Sequence, residues 1–342
     1  MASIQSARIE DKLEWEDFIK NHPEANFLHS WYFGEFHNRL GKHIERRGFY
    51  KDGELSGVAL AVVEPAKRGR YLTVAGGPIL NWSDKTVLSE FVSETRAIAR
   101  KERCVFVRVR PQLIENDLSK AIFRQYGFRQ APMHLTADLT SQLDLAKTEQ
   151  ELFSSMRKST RYEIRNAHKE GLQVTVTKDE EAIKEFYQIQ LDTAKRHKFV
   201  PFSLEFLYHQ FKVFAQDDLA LLYRAYLNKE LLSEAIIIFY GTEATYHYGA
   251  STEEGRKHPG SYLIQWEAIR EAKQRGMRRY NFWGVEPLSA TKHRFWGVSL
   301  FKRGFGGQDV QYLHAQDLII DPIRYYAMTY PIEVVRKKLR RL

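Results

Sequence analysis

The alternation of apolar and polar positions picks out two stretches built on one plan. The first, Phe49 to Gly77, reads FYKDGELSGVALAVVEPAKRGRYLTVAGG, and the second, Ala225 to Ser251, reads AYLNKELLSEAIIIFYGTEATYHYGAS. In each, a strand pattern, a polar turn, a continuous apolar run, a second polar turn and a further strand pattern follow in order. Lys51-Asp-Gly-Glu54 and Asn228-Lys-Glu230 form the first turns; Ala66-Lys-Arg-Gly69 and Gly241-Thr-Glu243 form the second. Apolar runs bounded by such turns read as hairpin-linked strands, so each stretch is predicted to be a three-stranded antiparallel meander.

What flanks the meanders also matches. Leu88, Phe91, Val92, Thr95, Ile98 and Ala99 share one helical face after the first, and the apolar strand beginning at Cys104 follows. After the second, Tyr262, Trp266 and Ile269 begin a helix that ends near Gly276, followed by the strand Arg279-Tyr-Asn-Phe-Trp283 and a stop at Gly284. Helices are predicted ahead of both meanders, from Trp31 to Leu40 and from Leu204 to Phe214. The pairs Tyr50 and Tyr226, Tyr71 and Tyr246, and Val105 and Tyr280 keep one nearly constant spacing along the chain. This regularity predicts an internal duplication. One further helix is expected from Thr148 to Gly171, where glycine is a natural stop, with a strand from Leu172 to Val176.

Each half thus reads as helices, meander, helix and strand, an α/β (α+β) class with a mixed sheet flanked by helices. That is the plan of the GNAT acyltransferase fold. The expected domains are residues 1–144 and 145–342, two GNAT-like units without a low-complexity linker, packed about a cleft suited to a ligand.

Charge narrows the partners. The 342 residues hold 52 Lys and Arg against 43 Asp and Glu, a formal net charge of +9. An anionic partner is implied: nucleic acid, phosphate or an acidic membrane face. Cys104 is the single cysteine, which excludes an intrachain disulfide and a thiolate metal cluster. The first residues, MASIQSARIEDKLEWEDF, lack the apolar core of a signal peptide. No run approaches the roughly 18–20 apolar residues of a membrane span. A cytoplasmic protein is expected, peripheral at the inner face of the cell membrane.

Three clusters carry candidate chemistry. On the Thr148–Gly171 helix, Arg157, Arg161, Arg165 and Lys169 recur at i+4, opposite an apolar face of Leu152, Met156, Ile164 and Ala167. Such a stripe suits a phosphate backbone or pyrophosphate, a reading its nearly pure cationic character favours over a solvated face paired with Glu163 and Glu170. The segment IEVVRKKLRRL sets Ile332, Val335, Leu339 and Leu342 at helical spacing among Arg336, Lys337, Lys338, Arg340 and Arg341. It fits an anionic membrane surface or RNA, or a docked helix with a polar outer face. Finally, Phe301-Lys302 precedes Gly304-Phe-Gly-Gly307. A lysine held beside such a turn is suited to stabilising a developing oxyanion. The loop Gly255-Arg-Lys-His-Pro-Gly260-Ser261 lacks the spacing for a CoA pyrophosphate, and Pro259 has no N–H to offer. His29, His37 and His43 read as ordinary residues and not as a metal site.

Five segments in order resemble the FemABX family: Phe27-Leu-His-Ser-Trp-Tyr-Phe-Gly-Glu-Phe36, Gly76-Gly-Pro78, Arg157-Lys-Ser-Thr-Arg161 through Gly171, Tyr248-Gly-Ala-Ser251 with Tyr262-Leu-Ile-Gln-Trp266, and Phe301-Lys302 with Gly304-Phe-Gly-Gly307. The resemblance implies two GNAT-like domains and transfer of an amino acid from aminoacyl-tRNA to the stem peptide of a peptidoglycan precursor, UDP-linked or lipid-linked. It implies Lys302 as the stabiliser of the tetrahedral intermediate, Phe301 shaping its pocket, and Tyr246 or Tyr248 near the acceptor. Arg157, Arg161 and Arg165, with Trp31, Arg196 and Arg110, are the substrate-binding candidates; Lys198 is a further substitute beside Arg196. No cofactor and no metal are implied. The chain departs from the family pattern in two places. Arg110-Pro111 stands where some members carry an acid before proline, and Phe202 and Phe206 replace an arginine and a tyrosine spaced by four. Two other readings remain open: a thioester-dependent N-acyltransferase of polysaccharide modification, and a non-catalytic RNA-binding protein.

Overall fold

A computed structural model of the chain describes residues 3–20, 22–66, 69–197 and 199–340. Lys67, Arg68, Lys198, Arg341 and Leu342, named above, lie outside them. The chain first lays down β1 (Ile4–Arg8), β2 (Ile44–Lys51), β3 (Glu54–Glu64), β4 (Tyr71–Ala75), β5 (Ile79–Leu80), β6 (Phe106–Arg110) and β7 (Arg129–Gln130). It then forms β8 (Leu139–Asp144), β9 (Gln173–Thr177), β10 (Ala220–Leu227), β11 (Glu230–Tyr240), β12 (Glu243–Ser251), β13 (Arg279–Gly284) and β14 (Gln308–Gln311), before β15 (Gln316–Ile319). Both predicted meanders are present. β2–β3–β4 and β10–β11–β12 are antiparallel neighbours, turning at Asp52-Gly53 and Asn228-Lys229, where positive φ is adopted.

Two compact units result: residues Met1–Asp138 with Gln311–Leu342, and Leu139–Val310. The sheet of the first runs β1-β2-β3-β4-β6-β15-β7, and that of the second runs, from its other end, β9-β10-β11-β12-β13-β8-β14. The orders correspond slot for slot. In both, the third meander strand pairs parallel with the strand after the helix, β4 with β6 and β12 with β13. The slot beyond is filled antiparallel by β15 in the first sheet and by β8 in the second. Each half therefore contributes one strand to the other half's sheet. The reading of residues 1–144 and 145–342 differs from this at both ends: β8 belongs to the second unit, and the residues from Gln311 onward return to the first.

The cores follow the predicted faces. In helix Lys85–Lys101, Val87, Leu88, Phe91, Val92, Thr95, Ile98 and Ala99 are buried, and Asp84 caps its N-terminus by accepting from the Thr86 and Val87 amides. They pack with Phe49, Leu72, Val74, Val107 and Val109. In the second unit, Leu152, Met156, Ile164, Ile237, Phe239, Ile264, Ile269, Tyr280, Phe282 and Phe305 form the equivalent core. The single helix expected from Thr148 to Gly171 is two, Glu149–Ser155 and Lys158–Glu170. Met156 and Arg157 between them are extended, which drops Met156 into the core and aims the Arg157 amide at the Gly304 carbonyl oxygen, 2.9 Å away. Gly171 ends the second helix at φ 78°, as its position predicts.

Candidate active site

The second unit's sheet opens at one point. β12 and β13 pair only through Glu243–Arg279, Ala244–Tyr280 and Thr245–Asn281. Beyond Thr245 the register of β12 on β11 shifts: Ile237 faces Tyr246 and Ile236 faces Tyr248, leaving His247 as the extra residue of a bulge. On the other side, β13 loses register against β8 between Asn281 and Gly284. Trp283 there adopts φ 63°, a conformation uncommon for a bulky side chain, with its amide donating to Asn281 Oδ1 at 2.8 Å. Parallel neighbours that part in this way leave main-chain groups and side chains facing a gap.

Lys302 reaches this region from helix Trp296–Arg303. Its Nζ donates to the Gly284 carbonyl oxygen at 2.7 Å and stands 5.5 Å from the centre of the Tyr246 ring. The side chain is 9 % exposed. Burial pulls its pKa down to about 7, with Glu286 acting weakly the other way. Burial likewise raises Tyr246 to about 12 and lowers His247 to about 3, with the Lys302 charge adding to the latter. The helix is pinned to the strand end by two more bonds: Arg303 Nη2 donates to Glu286 O at 2.6 Å, and the Glu286 amide donates to Ser299 Oγ at 2.8 Å. A buried ammonium with a fixed acceptor, set where two parallel strands stop pairing, is a preorganised positive charge.

The other expected residues fall in several places. Phe301 lies among Tyr262 and Phe305, with ring centres at 4.9 and 5.4 Å, and so anchors the Lys302 helix in the core. Tyr248 sits past the bulge, edge-on to Phe202 at 5.6 Å, and Phe202 stacks on Phe206 at 4.4 Å. Phe202 and Phe206 thus make an aromatic wall beside Tyr248. Arg196 donates to Ser251 O at 3.0 Å and Thr193 Oγ at 3.1 Å, at the end of the same strand. Gly304 is needed for close packing: a Cβ there would come 2.5 Å from Thr160 Oγ.

Arg161 and Arg165 line a groove of about 320 Å3 with Lys158, Tyr162, Asn166 and Lys169. Arg161 also donates to the carbonyls of Ser154 and Met156, and Arg165 lies over Phe153, so both brace the helix break. Arg157 sits at the start of the second helix, its Nε donating to Ser159 Oγ at 2.8 Å.

In the first unit, Arg110 is 1 % exposed, bonded to Gln112 and the Ala137 carbonyl, close to Asp138 and over the Tyr312 ring. Trp31 is covered by Arg46, whose guanidinium lies 3.6 Å from its ring centre. Both nitrogens of His29 are hydrogen-bonded, to Ala75 O and from the Leu60 amide, and burial lowers its pKa to about 4. His134 and His314 each approach Asp138 Oδ2 at 2.6 Å through Nδ1. These are hydrogen-bond lengths, shorter than the separation of about 3 Å that ligand atoms keep around a metal held at ~2 Å. The His247 bulge and the Gly284 carbonyl were not anticipated; a bulge leaves no mark in apolar alternation.

The FemAB family profile matches residues 11–236 and 224–331. The lipid II:glycine glycyltransferase of Staphylococcus haemolyticus (strain JCSC1435) is 21% identical over 369 aligned positions, covering 86% of this chain and 88% of that protein. The enzyme of the same name from Staphylococcus aureus is 20% identical over 370 positions, with the same coverage. A crystal structure of FemX superposes with a TM-score of 0.84 at 19% identity, covering 95% of this chain and 99% of that one. A tandem GNAT protein from the clavulanic acid biosynthesis pathway follows the fold at a TM-score of 0.60 and 11% identity, covering 94% of this chain and 99% of that one. The duplicated GNAT-like sheets are thus shared with solved structures, and on a profile match that takes in most of its length the chain belongs to the FemAB family.

Proposed function

We propose that this protein is an aminoacyltransferase that moves an amino acid from aminoacyl-tRNA to an amine on the stem peptide of a peptidoglycan precursor. Family membership and the lipid II:glycine glycyltransferase relatives support the reaction class and a lipid-linked acceptor. The observation that carries the chemistry is Lys302, a buried ammonium at the parting of β12 and β13.

The acceptor amine attacks the ester carbonyl of the charged tRNA. A C–N bond forms, the C–O bond to the ribose breaks, and the proton lost by the amine ends on the ribose oxygen. The ester is already activated, so no covalent enzyme intermediate is required. Holding amine and ester together supplies several kcal/mol of the barrier reduction, on the order of that seen for oriented reactants. Lys302 stabilises the negative oxygen of the tetrahedral intermediate. Tyr246 forms the floor under that charge, and Tyr248 with Phe202 and Phe206 borders the acceptor. The groove of Arg161, Arg165 and Lys169 takes phosphates of the donor. A lipid-linked acceptor calls for contact with a membrane surface. The test is transfer of a labelled amino acid from aminoacyl-tRNA to lipid-linked and nucleotide-linked muropeptides. Binding of tRNA with no product on either acceptor overturns the assignment.

A further inference from the structure

Exposed apolar side chains of the first unit gather on one segment. Residues Pro322–Arg324 are α-helical, Tyr325–Thr329 form a π-helical turn, and Tyr330–Arg340 are α-helical again. Tyr325, Thr329 and Glu333, four residues apart, face inward and are buried. Met328, Ile332, Val335 and Leu339 recur at i, i+4, i+7 and i+11 on another face and are exposed, Leu339 at 78 %; Ile323 adds to them at 82 %. An apolar stripe of this kind on a helix has a partner in water only if something covers it.

The charge pattern identifies the cover. Between Pro322 and Arg340 the sequence has one acid, Glu333, against Arg324, Arg336, Lys337, Lys338 and Arg340. Glu333 is turned inward onto Arg108 at 2.8 Å, and Arg108 also holds Asp317 at 2.7 Å. Tyr325 Oη donates to the same Asp317 at 2.7 Å. These buried bonds fix the rotation of the helix and remove its one negative charge from the surface. Arg324 lies 3.5 Å from Asp321 at the start of the segment. A second copy of this chain would bring like charges together across the stripe. An RNA backbone would meet the cations but gain nothing from four apolar side chains. A bilayer rich in anionic phospholipid satisfies both features, with apolar side chains at the acyl boundary and cations at the headgroups.

We propose that the segment Pro322–Arg340 lies on an anionic phospholipid bilayer through the Met328, Ile332, Val335 and Leu339 face, holding the enzyme at the surface that presents a lipid-linked acceptor. The proposal rests on the acceptor reading above.

The full chain, Ile332→Ser with Val335→Ser, and Arg336→Gln with Lys337→Gln are sedimented with vesicles of phosphatidylglycerol or of phosphatidylcholine. The unaltered protein is expected to bind the anionic vesicles, and each double variant to bind them about tenfold or more weakly. Transfer to a nucleotide-linked acceptor stays unchanged in both variants, while transfer to an acceptor embedded in anionic vesicles falls. Equal binding of all three proteins to anionic vesicles overturns the proposal. So does unaltered vesicle binding accompanied by loss of tRNA retention on a filter, which assigns the face to RNA. An absence of transfer to any acceptor defeats the enzymatic reading alone, since sedimentation still decides the lipid contact.

Discussion

Lys302 Nζ and the Gly284 carbonyl oxygen, 2.7 Å apart, join a helix to the tip of the strand that departs from its neighbour. The bond has two consequences. It fixes an ammonium group where β12 and β13 cease to pair, and it leaves that ammonium largely out of water, where its charge acts at greater strength.

Replacing Lys302 by Met separates these effects. Loss of one preorganised donor to an oxyanion costs about 10²–10³ in kcat. Folding should not suffer, because an isolated buried ammonium is itself unfavourable. Transfer kinetics combined with thermal unfolding check both halves: a variant with full activity, or one whose Tm collapses, contradicts the assignment.

The pH dependence has a defined sign. Lys302 titrates near 7 in the folded protein against an ordinary value of 10.5. Between those values the unfolded chain binds more protons, so stability attributable to this group rises with pH. The Tm of Lys302→Met minus that of the unaltered protein is therefore expected to be largest below pH 7 and to vanish as pH passes 10.5. In kcat/KM the limb due to Lys302 descends above about pH 7, as the ammonium is lost. A limb of the same position in Lys302→Arg, whose guanidinium keeps its proton, would refute the attribution.

Gly249 lies against the phenol of Tyr246, and a Cβ at that position would collide with the Tyr246 hydroxyl. Gly249→Ala should push the Tyr246 ring from beneath Lys302 and lower kcat, at a stability cost of about 1–3 kcal/mol from overpacking. Gly276→Ala, where a Cβ meets open space but φ is 73°, serves as a control that loses stability and keeps kcat.

In the first unit, Asp317→Asn leaves the Arg108 guanidinium buried with half its counter-charge. Glu333 still neutralises Arg108, so the cost is that of the lost charge-assisted hydrogen bonds, about 1.5–3 kcal/mol. Urea unfolding that shows a change below 1 kcal/mol would mean that Glu333 carries the pair alone.

Reversal of Arg161 and Arg165 to Glu should weaken tRNA binding and flatten its dependence on salt, since the log–log slope counts about one unit per phosphate neutralised. An unaltered slope removes the groove from the donor site.

Much of this architecture is written in short-range pattern. The meanders, the helix faces and the repeat rest on neighbours a few residues apart, and alternation of apolar positions records them directly. The break at Met156-Arg157 escaped because helix propensity is continuous there; Gly304, far along the chain, supplies the acceptor that makes the break favourable. The exchange of β8 and β15 escaped for the same reason, since Arg108 and Asp317 meet 209 positions apart. At the site, Lys302 is legible from its place beside the glycine-rich turn and the pair Tyr246 or Tyr248 from the family resemblance, but the bulge at His247 that sets the two tyrosines apart is a matter of register between strands.

The two exchanged strands also set an order of events during synthesis. Every strand of the second unit lies within one continuous stretch, Leu139–Val310 with the last residue of β14 just beyond. That unit is free to fold as it leaves the ribosome. The unit translated first has an incomplete sheet until β15 emerges, with the β6 edge and the Arg108 cation waiting for it. The N-terminal half is thus begun first and finished last, and its exposed edge is the stretch a chaperone would meet on the nascent chain.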